Sequence, residues 1–158
     1  MNQHSHIYQQ PIQSVYYMGM VALFLLVLKD VLMNREKVIF AFFIVLALTL
    51  NFGFFLGDID KVIHHNEFEL FAALSVSMIC TVLKFGDRTH LGALMLATSL
   101  VADLQLVIAA ILWGFAEQIS GGMTPSMMSS VVSLSGGALL ANIISVILLV
   151  VETIVVRR

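Results

Sequence analysis

The sequence predicts an all-α polytopic membrane protein, a bundle of five transmembrane helices forming a single domain over residues 1–158. Three observations carry that prediction. The chain is 59% hydrophobic and only 11% charged, whereas a soluble domain carries about a quarter charged residues. Five apolar stretches, at roughly 14–33, 38–57, 68–84, 91–115 and 127–156, approach or exceed the about 20 residues a helix needs to cross the hydrocarbon core. Seven of the eight lysines and arginines fall on one side of the resulting topology.

Each span reads as a helix because a lipid-exposed strand edge would leave backbone groups unpaired. The N-terminal stretch MNQHSHIYQQPIQSVYY lacks the basic start of a signal peptide and shows no cleavage site after the first apolar run, so that run reads as a retained span. Pro11 and Pro125 precede spans one and five, where proline starts a helix without breaking it. Span three is short. Span five is long, which predicts tilt or extension past the membrane. Lys29, Arg35 and Lys37 flank the first connection, Lys84 and Arg88 the third, and Arg157 and Arg158 end the chain; Lys61 alone lies on the other side. The positive-inside rule then places the N-terminus outside and the C-terminus in the cytoplasm. Tyr16, Tyr17 and Trp113 fall near outer ends, as an aromatic belt requires. Lys29 and Asp30, near the inner end of span one, read as a snorkelling lysine with a local pair.

Composition also excludes functions. A net charge of −2 provides no basic field for nucleic acid. The single cysteine, Cys80, excludes an intramolecular disulfide. Zinc spacings, a P-loop, GxSxG, HExxH and GxGxxG are all missing from the sequence, so neither an enzyme nor a resident cofactor is predicted. No internal repeat is visible.

The most informative residue is Asp103, in SLVADLQLVIAA near the middle of span four. A charge at the bilayer centre costs about 2.5–3.5 kcal/mol on insertion scales. Aligning span centres puts Asp103 level with Asn142 of span five and Ser75 and Ser77 of span three, with Asn51 of span two somewhat outward. Carboxylate, amide and hydroxyl oxygens suit a hard cation or a proton relay; the same groups also serve as interhelical glue. Gln105, two residues on, points about 200° away from Asp103. Span four is therefore contacted on both sides, which favours a homo-oligomer.

Span five carries two stripes. Ser129, Ser133, Gly137, Ala141 and Ser145 recur at every fourth place, a small-xxx-small face for helix packing. Ser135, Ala138, Asn142, Ser145, Leu149 and Glu152 recur at alternating three- and four-residue steps, which keeps one seam on one axis. In a symmetric ring, Ser135, Asn142, Ser145 and Glu152 would line a cation pore; otherwise they bond across helices within one protomer, with Glu152 pairing to Lys84, Lys29, Arg157 or Arg158. In the outer loop GDIDKVIHHNEFE, Asp58, Asp60, His64 and His65 are weak candidate metal ligands, with Glu67, Glu69, His4 and His6 on the same side.

The functional expectation is a homo-oligomeric channel or transporter for a small cation or protons, set in lipid in a bacterial inner membrane. Its rival is a structural or regulatory subunit that docks a partner membrane protein through the same small and polar residues.

Overall fold

The computed structural model describes the backbone of residues 9–118 and 121–156 and the side chains of residues 18, 20–25, 35–118 and 121–155. All elements among them are helical: α1 (Gln9–Phe55), a 3-10 turn (Val62–His64), α2 (Glu67–Lys84), α3 (His90–Gln118) and α4 (Pro125–Val156). The chain divides into two compact units, 1–38 and 39–158. In the first, Met18, Met20, Val21 and Leu23 to Leu25 are exposed. The site described below lies wholly in the second.

Three segments are long and apolar enough to cross a membrane: Arg35–Phe55, His90–Gln118 and Pro125–Val155. That composition is compatible with a membrane location. The short third span expected at 68–84 corresponds to α2, which has 18 residues and carries Glu67, Glu69 and Lys84 at its ends. The expected span at 14–33 falls largely on residues whose side chains lie outside the described set, as do Tyr16, Tyr17, Lys29 and Asp30. One expectation is corrected. Residues 34–37, read as the first connection, are helical within α1. Arg35, Glu36 and Lys37 are good helix formers, and this stretch contains no glycine or proline to end a helix. A polar run marks a loop only where something also terminates the helix.

The connections further along do carry terminators and caps. α1 gives way to Gly57, whose φ of +129° lies in the region that disfavours side chains. Asn66 caps α2, its side chain accepting from the Phe68 N–H at 2.9 Å, and Glu67 and Glu69 sit in the first turn where the helix dipole favours acids. Thr89 caps α3 by accepting from the Gly92 N–H at 2.9 Å. Thr124 accepts from the Met127 N–H at 3.3 Å, with Pro125 opening α4.

Within residues 39–158, α3 packs against both α2 and α4. The buried side chains form two apolar cores. One gathers Phe54, Leu70, Ala73, Ala102, Leu106, Trp113, Met128 and Val131 toward the α1–α2 loop. The other gathers Phe40, Ile44, Ala47, Cys80, Met95 and Leu149 toward the α2–α3 turn. We call these the loop end and the turn end.

Candidate functional site in a buried polar layer

Each of the four helices interrupts its buried face with a polar residue between the two cores. On α1 this is Asn51, between Ala47 and Phe54. On α2 it is Ser77, between Ala73 and Cys80. On α3 it is Ser99, between Met95 and Ala102, and on α4 it is Asn142 with Ser145, between Ala141 and Leu149. The four- and three-residue steps on α1, α2 and α3 keep the polar side chain on the same face as its apolar neighbours. All five are at most 1% exposed.

Two contacts fix the register of α3 against α4. The hydroxyls of Thr98 and Ser145 are 2.6 Å apart. Nearer the loop end, the Gln105 amide lies so close over Gly137 that a Cβ built there would clash with it. Asp103 lies between Thr98 and Gln105 on α3, and Asn142 lies between Gly137 and Ser145 on α4. At a rise of about 1.5 Å per residue, the two differ in height by only about 4 Å.

Some of these polar groups are paired within the protomer. Asn51 Nδ2 donates to the Ser135 carbonyl at 3.2 Å, and the Ser135 hydroxyl donates back to Asn51 Oδ1 at 2.5 Å. The Thr81 hydroxyl donates to Asp103 Oδ2 at 2.6 Å. Others are not. Asp103 Oδ1, both amide atoms of Asn142, the hydroxyls of Ser77 and Ser99, and Gln105 Oε1 are buried with no hydrogen-bond partner among the described residues. A buried polar group left unpaired costs about 1–3 kcal/mol, so such a cluster asks for water, a proton or a cation. Its oxygens are the hard donors that a small cation takes.

Glu152 does not belong to this layer. It is 5% exposed and sits in an ion cluster at the turn end. Lys84 Nζ is 3.6 Å from Glu152 Oε2, 3.0 Å from Asp87 Oδ2, and 4.5 Å from the Phe40 ring centroid. Asp87 lies in the turn between α2 and α3. Burial would push its carboxyl up, but the Thr89 N–H and hydroxyl and the Lys84 ammonium outweigh that and hold it below the usual aspartate value.

The α4 seam turns inward. Ser135, Ala138, Asn142, Ser145, Leu149 and Glu152 are all buried within one protomer, so the seam does not present a polar face to an oligomer axis. The two sides of α3 likewise face the same chain, Asp103 bonded by Thr81 of α2 and Gln105 packed over Gly137 of α4. The four-residue stripe divides. Gly137, Ala141 and Ser145 lie toward α3 or in the interior, whereas Ser129 is half-buried and Ser133 exposed, each hydroxyl donating to the carbonyl four residues back. Ser75 also stands apart: it is exposed and donates to the Phe71 carbonyl.

In the loop between α1 and α2, His64, His65, Asp58 and Asp60 do not assemble a ligand set among the described residues. Among the described residues no three His, Cys, Asp or Glu side chains are placed to hold a metal ion. Asp58 instead pairs with Lys61 at 2.6 Å, its N–H lies 3.2 Å from His64 Nδ1, and Asp60 is exposed. His4 and His6 lie outside the described residues.

Sequence reasoning missed Thr81 and Thr98. Both hydroxyls also lie within hydrogen-bond reach of a carbonyl of their own helix, so each threonine blends into an apolar span. Ser99 was missed as well, and only the neighbouring Asp103 marked their depth.

The model of a family of unknown function (DUF6394) matches residues 64–153, more than half of the chain, taking in α2, α3 and most of α4. No curated protein and no solved structure matches.

Proposed function

The chain belongs to this family, DUF6394; taking that membership as the premise, we propose that it is a membrane protein whose second unit passes a small cation or protons across the bilayer. One observation carries the reading: among the described residues, the fully buried Asn142 has no partner for either amide atom, at nearly the height where Asp103 Oδ1 has none. Apolar surroundings would select against such a pair unless something polar occupies the space between them.

The proposed path runs inside the protomer, through the layer formed by Ser77, Ser99, Asp103 and Asn142. From there it follows the buried face of α4 past Thr98 and Ser145 toward Lys84 and Glu152. A homo-oligomer is not required to enclose it. In this reading residues 39–158 cross the membrane four times, with the loop end outside. Lys84 and Arg88 lie at the turn end, against Lys61 at the loop end. The C-terminus is then cytoplasmic.

The rival, a structural subunit docking a partner membrane protein, draws on the exposed Ser133 and the half-buried Ser129. Flux separates the two. The purified full chain, reconstituted in vesicles, is expected to pass protons or a monovalent cation, with flux falling at least tenfold in Asp103→Asn. A wild-type chain that passes neither, yet co-purifies stoichiometrically with another membrane protein, overturns the proposal in favour of the rival.

A further inference from the structure

The imidazole of His65 is 6% exposed and lies between two backbone carbonyls, with Nδ1 2.6 Å from the Phe54 oxygen and Nε2 3.0 Å from the Asp58 oxygen. A carbonyl oxygen can only accept. A neutral imidazole has one N–H and one bare lone pair. It therefore satisfies one carbonyl and turns a lone pair on the other. Only imidazolium donates to both.

The position favours that cation further. Phe54 is the next-to-last residue of α1, so its carbonyl is among the last four that find no intrahelical donor, at the negative end of the helix dipole. A cavity of about 630 Å³ opens beside the ring, lined by His64, Glu67 and Glu69 of α2, and Trp113 and Glu117 of α3. The nearby charges are thus chiefly acidic. In the loop, Asp58 is paired with Lys61 and stands 3.6 Å from His64 Nδ1. Neither α1 nor α4 brings a charged side chain to this end among the described residues. Two direct acceptors, a helix terminus and three glutamates thus surround the ring.

We infer that His65 is a proton-operated latch on the loop 57–66. Protonated, it fastens the loop to the end of α1 and completes the wall of the acidic cavity. Neutral, it gives up one of the two ties, and the loop loosens. Docking therefore strengthens when the ring is protonated and weakens when it is neutral. The latch stands whether or not the protein conducts.

The test uses the full chain in detergent micelles, with 15N-labelled histidine. At pH 5.5 the ring-nitrogen shifts of His65 are expected to show both nitrogens protonated. Amide exchange across 57–66, corrected for intrinsic rates, is expected to be at least about tenfold more protected at pH 5.5 than at pH 8, since a hydrogen bond to a charged group is at stake. This difference should vanish in His65→Gln and persist in His64→Gln. If His65→Gln fails to fold, the ring-nitrogen shifts of the wild type decide alone. A neutral His65 ring at pH 5.5, or loop exchange identical at the two pH values in the wild type, overturns the latch.

Discussion

The turn end and the middle of the second unit both bury polar groups, and they treat them in opposite ways. At the turn end Lys84 meets Asp87, Glu152 and the Phe40 ring. Formal charges are buried there, but each has an opposite charge beside it. Midway between the ends the groups are mostly neutral and mostly smaller, yet Asn142, Ser77, Ser99 and one oxygen of Asp103 lack hydrogen-bond partners among the described residues. The fold closes its electrostatics where failing to do so would be most expensive and leaves them open where the individual penalty is modest. The first pattern is that of a structural clamp; the second is that of a site awaiting an occupant.

The comparison can be sharpened first at the clamp. Lys84→Met removes the cation beside the buried Glu152, and the loss of stability is expected to be about 3–5 kcal/mol. Lys84→Met combined with Glu152→Met removes most of that uncompensated charge and is expected to recover much of the loss. Thermal unfolding of both variants in micelles checks this. A single variant as stable as the wild type would break the contrast, because the clamp would then be no more than a coincidence of positions.

A smaller effect is expected at the paired part of the layer. Ser135→Ala removes the hydroxyl that Asn51 Oδ1 accepts from. Interhelical hydrogen bonds in membranes average about 0.6 kcal/mol, so the shift in unfolding should be near the limit of measurement. A loss of several kcal/mol would mean that the layer is structural throughout.

The smallest effect lies in acid. The Asp87 carboxyl is held below its usual range by Thr89 and Lys84. A group depressed in the folded state contributes stability that is present above its unfolded value and lost as pH falls through the folded one. Stability should therefore be level from pH 7 to about 5 and decline below about 4. Asp87→Asn should flatten that decline, as read from unfolding temperatures across the range.

Much of this arrangement was legible from residues alone, and the exceptions have physical reasons. The run of apolar stretches and the one-sided lysines and arginines point to long helices with Lys84 and Arg88 at one end. Span centres put Asn51, Ser77, Asp103 and Asn142 near one level because rise per residue converts sequence distance directly into height. Facing direction is harder. Helical spacing says that Asp103 and Gln105 diverge, but not which neighbours receive them, and α2 and α4 of the same chain do so. For the same reason the α4 seam is a real stripe that reads equally well as pore lining or as interior, and burial places it in the interior. Ser75 shows the limit most plainly: it shares the depth of Ser77 but points outward and bonds to its own helix. The helical stretch at 34–37 escaped notice because charge alone does not stop a helix.

The most direct test separates stability from transport at one residue. Asn142→Leu fills the same space with apolar atoms and removes two unpartnered polar ones. The protein should be as stable as the wild type or more so, by up to about 1 kcal/mol, while flux through reconstituted vesicles falls at least tenfold. A variant that is no less stable and conducts as well as the wild type would contradict the claim that the open polar layer is the route.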